Sequence, residues 1–184
     1  MRLAEALELA AQLQKSLKFA PLRTNSQAPL PGRPALVLVG SARRGEPTMC
    51  DLDLLVVVPD RADFAPVLAS ANLVGRMRLG ADRGCGARRR SLVLLRSGRR
   101  PFQVDLFLVR RSELPYALYH YTGSRQYNIR TRAHAKARGW LLNQYGLFYT
   151  DRPSVRVRKT AHLHTERALA AFLGVSYRKP EDRL

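Results

Sequence analysis

The chain has 184 residues, 46% of them hydrophobic, so it can bury a core and is not a disordered tail. Its formal net charge of +18 implies a polyanionic partner, because each neutralised phosphate releases condensed counterions. The apolar stretch 52–58 is far too short to span a bilayer and is interrupted by Asp53, and no helical pattern sets a basic face against a Trp/Phe/Leu face, so no membrane partner is expected.

Leu3, Ala6, Leu7, Ala10, Leu13 and Leu17 recur at helical spacing and predict an amphipathic helix over 3–18. Glu5 and Glu8 inside that pattern argue against a signal or transit peptide, so an intracellular protein is expected. A viral source would place it in the host cytoplasm or virion, a bacterial one in the cytoplasm. A Pro-rich stretch at 28–34 precedes a short strand at 35–40, and 41–47 reads as a turn or helix start. Residues 51–58 read as a strand ended by Pro59, 62–70 as a short helix, and 72–79 and 91–96 as strands. Ser97-Gly98 turns a hairpin into a strand at 102–109. The pattern then becomes helical: 112–122 and 124–138 read as helices, 141–150 as a strand and turn, and 165–174 as a helix stopped at Gly174. The expected class is α+β, with a boundary near 110 between a sheet bearing helices and a smaller, more helical unit.

Only five of the 32 basic residues are lysines, Lys15, Lys18, Lys136, Lys159 and Lys179, leaving 27 arginines. Arginine suits phosphate because its planar fork donates two parallel hydrogen bonds. A GC-rich coding sequence accounts for much of that bias, but not for the small number of acids. Cys50 and Cys85 form no CxxC pair and lie beside no His cluster, so no zinc site is expected and a disulfide is unforced.

Three aspartates stand inside apolar strands. Asp51 and Asp53 are two residues apart, so they point to the same face, and Asp105 lies within a second such strand. Carboxylates there are costly to desolvate and repel one another, and divalent cations remove both penalties. Mg2+ takes a few carboxylates and completes its shell with water and substrate phosphate. Strand ends or pairing with arginines would account for the acids equally well on this pattern alone. Upstream, however, Gly40-Ser41 closes a strand, offering backbone N–H groups and a hydroxyl to a phosphate, with Arg44 adding charge. A phosphate-binding turn, paired acids and a third acid on another strand is the layout of a metal-dependent nucleotidyltransferase.

The run from Gly40 to Glu46 followed by Asp51-Leu52-Asp53, and the strand Gln103-Val104-Asp105-Leu106, resemble DNA polymerase family X, the group that includes DNA polymerase beta. His120-Tyr121-Thr122-Gly123-Ser124, the run from Leu142 to Phe148, and the end from Thr165 to Pro180 are similar to the same family, so the resemblance covers roughly 35–184. It implies a polymerase beta-like palm with a mixed sheet over 1–110, and a small α+β subdomain over 111–184 that binds nucleotide and template. It further implies two Mg2+ ions, with Mn2+ as a substitute, a gapped or primed DNA, a dNTP and a monomeric enzyme. Asp51 and Asp53 would bridge both ions, and Asp105 would hold the catalytic one. Gly40, Ser41 and Arg44 would hold the triphosphate. His120 and Tyr121 would sit under the incoming sugar, Gly123 would belong to the nucleotide-binding set, Asn128 would lie beside the incoming base and Arg132 near the template.

His120 stands where the family has Tyr, and Cys50 where it has Gly. The lyase domain and helix-hairpin-helix clamps of larger members have no room here, so DNA affinity is expected from the remaining basic surface. Arg125, Arg130, Arg132 and Lys136 lie on one helical stretch, where a DNA-facing stripe and a solvated face are equally good readings. Trp140 reads as core or a subdomain contact, Tyr116 and Tyr119 as core, His162 and His164 as solvated, and Arg88-Arg89-Arg90 as a solvated loop that beside DNA could touch phosphate. Two other functions compete: nucleotidyl transfer to a tRNA, protein or small alcohol, and a non-catalytic basic nucleic-acid-binding module. The Thr122-Gly123-Ser124 and 143–148 segments argue against the first, the three strand-borne acids against the second.

Overall fold

Strand alternation gives the central sheet two different faces. The computed structural model describes residues 1–17, 19, 34–61, 63, 65, 78–79, 85–86, 88–95, 101–160 and 163–183. Within them the sheet comprises β1 (Ala35–Leu38), β2 (Asp51–Val58), β3 (Arg78–Leu79), β4 (Cys85–Gly86), β5 (Arg89–Leu95) and β6 (Phe102–Arg110). The order is β1-β2-β6-β5-β3, with β4 also paired to β5. β2 and β6 run parallel and the other pairs antiparallel, so the sheet is mixed, as expected.

Leu36, Leu38, Leu52, Leu54, Val104 and Leu106 share a core with Ala6, Leu9, Ala10 and Leu13 of the N-terminal helix, Leu3–Ser16. Val37, Leu55, Val57 and Val109, one residue out of phase, pack with Leu114, Ala117 and Leu118 of the helix Leu114–Thr122. Burying each Leu or Val contributes about 1.5–3 kcal/mol. The N-terminal helix is rotated from its expected face, with Leu9 buried and Leu7 exposed. Ala6, Ala10 and Leu13 form the centre of the buried stripe, and a leucine on either side of that line fits the helical period.

Beyond β6 a second core gathers Tyr116, Tyr119, Tyr127, Leu142, Leu147 and Leu169. The Leu114–Thr122 helix serves both cores, since its Ala117 and Leu118 meet the sheet while Tyr116 and Tyr119 face away from it. Ser124 caps the next helix, Arg125–Ala137, by accepting the Tyr127 N–H, and Thr165 caps Glu166–Leu173 by accepting the Ala168 N–H. Gly174 ends that last helix in the left-handed conformation, φ 68°. The segment expected as a strand and turn is a full hairpin, β7 (Trp140–Asn143) with β8 (Gly146–Tyr149). Asn143 closes it, its side-chain oxygen accepting the N–H groups of Tyr145 and Gly146. Trp140 stacks on Phe172, ring centroids 5.1 Å apart.

Arg89 and Arg90 form the start of β5 rather than a solvated loop, and Arg88 donates to both carboxylate oxygens of Glu113. Cys50 carries a free, exposed thiol, and His164 is exposed. The Pro-rich stretch up to residue 33, most of the helix expected at 62–70, most of the strand expected at 72–79, the Ser97-Gly98 turn and His162 lie outside the described residues. Among the described residues no helix is long and apolar enough to cross a membrane.

Candidate active site

β2 and β6 lie side by side with Asp53 directly opposite Asp105, and alternation puts Asp51 on the face of Asp53. That face is the one Leu55 and Val57 bury further along, whereas Asp51 and Asp53 stay half-buried. One oxygen from each of Asp51, Asp53 and Asp105 lies within 4.8 Å of the others. Asp105 is the most enclosed, 4% exposed. Burial, then the Asp51 and Asp105 charges, push the Asp53 carboxyl up to about 7, against the smaller opposing pull of Arg89 and Arg44. Three hard oxygen donors with charge that burial leaves under-compensated fit a divalent cation.

This sets a pH dependence for the metal-free protein. Folded Asp53 keeps its proton up to about pH 7, whereas its unfolded carboxyl loses it near 3.8. The folded state therefore binds more protons across that window, and the stability Asp53 contributes falls as pH rises through it. The melting temperature of the wild type in chelator, measured against Asp53→Asn, should decline from pH 4 to pH 7 and recover on adding Mg2+ at pH 8. A constant difference between the two proteins across that range would refute the assignment.

Gly40 follows β1 and opens a four-residue helix, Gly40–Arg43, at φ +63°. A Cβ there would stand 2.3 Å from Asp53 Oδ2, so the turn is pressed against the carboxylate and only glycine fits. Gly40→Ala should lower turnover about 100-fold by displacing Asp53, in a protein that still folds; near wild-type rates would show that the close approach is dispensable. Ser41 is half-buried on this turn. The Arg44 guanidinium pairs with Glu46 and donates to the Thr122 carbonyl, lying 3.0 Å from where a Gly123 Cβ would be. The Gly40-Ser41 turn and the Thr122-Gly123 bend are thereby brought together.

His120 Nδ1 meets the Arg132 guanidinium, and the Asn128 side chain donates to the His120 carbonyl at 2.7 Å. Burial, and secondarily Arg132, lower the His120 pKa to about 4, which leaves the ring neutral at physiological pH. Tyr121 stacks on Phe107 of β6, ring centroids 4.1 Å apart, close enough to Asp53 to feel its charge. Arg125, Arg130, Arg132 and Lys136 are all exposed on the Arg125–Ala137 helix. At 3.6 residues per turn Arg125, Arg132 and Lys136 share a face, while Arg130 lies about 140° round from Arg125.

Residues to which the sequence assigns no role at this site surround it. Arg89 donates to Asp105 Oδ2 at 2.7 Å, and Gln103 lies 3.2 Å from both Asp105 oxygens. Arg43 donates to the Thr122 hydroxyl and to Glu166, and Glu166 also accepts from Arg183 near the C-terminus. Only the two-residue spacing of Gln103 and Asp105 on one strand face is a sequence signal; the other partners are distant along the chain.

Residues 117–184 match the DNA polymerase beta thumb family. The chain is 37% identical over 149 residues to the Repair DNA polymerase X of African swine fever virus (isolate Tick/Malawi/Lil 20-1/1983), covering 81% of each chain. It is 31% identical over 190 residues to DNA polymerase lambda of Rattus norvegicus, covering 96% of this chain and 32% of that one. The solved structure of Leishmania infantum polymerase beta in a ternary P/T complex superposes with a TM-score of 0.75 at 21% identity, covering 100% of this chain and 76% of that one. The chain belongs to DNA polymerase family X.

Proposed function

We propose that this protein is a DNA-directed DNA polymerase that adds dNMP to a primer 3′-hydroxyl and fills gaps during DNA repair. The observation that carries this is the convergence of Asp51, Asp53 and Asp105 within 4.8 Å on one sheet face, with the Gly40 turn pressed against Asp53. Residues 1–110 carry the catalytic palm and 111–184 the nucleotide and template contacts. Asp51, Asp53 and Asp105 would hold two Mg2+ ions, or Mn2+ in their place. When bound, such ions lower the pKa of the attacking hydroxyl and stabilise charge at phosphorus. The Gly40-Ser41 backbone and Arg44 hold the triphosphate. The primer 3′-oxygen bonds to the α-phosphorus and pyrophosphate leaves. Tyr121, braced by Phe107, and His120 pack under the sugar, Gly123 lets the backbone approach it, and Asn128 sits beside the base. His120 remains neutral there, so it presents no cation to the sugar.

Arg125, Arg132 and Lys136 form the face offered to DNA, and Arg130 contributes to the general basic field. The +18 charge then carries much of the affinity, and the slope of log K against log[salt] should correspond to several phosphates. A flat salt response in a gapped-duplex binding assay would refute this. We infer a monomeric, intracellular enzyme. Extension of a primer on a gapped duplex with dNTP and Mg2+ is the direct test. No extension on gapped or open primers, with either Mg2+ or Mn2+, would overturn the reading in favour of another acceptor.

A further inference from the structure

We propose that Arg89 is a resident counter-cation of the carboxylate cluster, that it must leave Asp105 before a divalent ion is held there, and that it thereby sets the metal concentration at which the site loads. The inference rests on the reading of Asp51, Asp53 and Asp105 as metal ligands. Arg89 opens β5, next to β6 in the sheet, and its guanidinium reaches Asp105 Oδ2 at 2.7 Å. Its field also extends to Asp53. An oxygen of Asp105 is thus engaged by one positive charge in the place where a second, divalent charge would be bound.

The two partners differ in freedom. The Asp105 side chain is 5% exposed and its two oxygens face the Gln103 amide, so the carboxylate is fixed. The Arg89 side chain is 51% exposed and can swing into solvent. Its resting position is supported by the Phe107 ring, 5.5 Å below the guanidinium, and that ring is stacked in turn on Tyr121. A half-exposed ion pair is weak enough to be exchanged for a divalent ion, yet it opposes loading through both its hydrogen bond and its charge.

The test is Mn2+ binding to the full chain without DNA or nucleotide, followed through the electron paramagnetic resonance signal of free Mn2+ and competed with Mg2+. Arg89→Gln should lower the Mn2+ Kd by about three- to tenfold. Arg89→Lys, which keeps the charge but shortens the reach, should fall between Arg89→Gln and the wild type. Asp105→Asn should weaken binding. Equal Kd values for wild type and Arg89→Gln, or weaker binding by Arg89→Gln, would overturn the proposal, the latter by showing that Arg89 positions the carboxylate for the metal. Wild-type binding indifferent to Asp105→Asn would instead overturn the metal-site reading itself. Circular dichroism melts keep a folding defect apart from either result; if Arg89→Gln does not fold, Arg89→Lys alone decides, with an unchanged Kd overturning the proposal.

Discussion

Asp105→Ala is expected to reduce primer extension on gapped DNA by at least about a thousandfold while leaving a folded protein. Losing one of the three proposed metal ligands would remove several kcal/mol of charge stabilisation from the transition state, and about 4 kcal/mol corresponds to that factor. The fold should survive because Val104 and Leu106, not Asp105, pack the core shared with the N-terminal helix. The exchange does release Arg89 and Gln103 from their shared partner, which frees two polar groups at a half-open surface rather than in the interior. Asp53→Asn should behave differently in one respect. It should be equally inactive, yet melt at a higher temperature than the wild type in chelator at pH 8, because burial and two neighbouring carboxylates disfavour the ionised form of Asp53. Single-turnover extension and thermal melts on the same preparations read both quantities. Substantial residual extension by Asp105→Ala would mean that Asp105 is not a metal ligand.

The acids are legible because the sequence places charge where an apolar strand should be uninterrupted, and because a spacing of two fixes a shared face. The parallel pairing of β2 with β6 leaves no such trace. Asp53 and Asp105 stand opposite each other only because β2 and β6 are parallel neighbours in a sheet whose order is not the chain order. Arg88-Arg89-Arg90 reads as a solvated loop on composition; the hairpin expected between 91–96 and 102–109 pairs β5 with β6, but nothing local extends that pairing back to Arg89, where it brings the guanidinium to Asp105. Glu166 is hidden in another way: beside a Thr cap, an acid in the first helical turn is already accounted for by the helix dipole. Its partners are Arg43, 123 residues away, and Arg183, 17 residues away. The N-terminal helix is legible as an element but not in its buried face, since Leu7 and Leu9 both satisfy the period and only packing against β1 and β2 chooses between them.

Glu166→Gln is expected to destabilise the protein by about 3–5 kcal/mol, because it leaves two buried cations without a counter-charge. Glu166 bridges Arg43 at 2.6 Å and Arg183 at 2.9 Å, and the three side chains are 3%, 6% and 0% exposed respectively. The rings of Tyr119, Tyr127 and Tyr177 lie 4.9–5.6 Å from the Arg183 guanidinium and soften its burial, but they carry no net charge. Among the described residues no acceptor meets Arg43 Nε or Arg183 Nη2, so the network holds no spare partner to take over. For a chain of this size the loss corresponds to a melting temperature lower by roughly 10 °C. Asp151→Asn, which breaks an exposed pair with Arg152, should leave the melt unchanged. Adding Arg43→Met to Glu166→Gln should restore part of the loss by removing one of the orphaned charges. A Glu166→Gln melt like that of the wild type would show that the triad is solvated. The same variant, assayed well below its melting temperature, should raise the KM for dNTP more than it lowers kcat. Arg43 also holds the Thr122 hydroxyl, and its neighbour Arg44 holds the Thr122 carbonyl beside Gly123. Loosening Arg43 therefore slackens the bend proposed to carry the sugar, while Asp51, Asp53 and Asp105 stay fixed in the sheet.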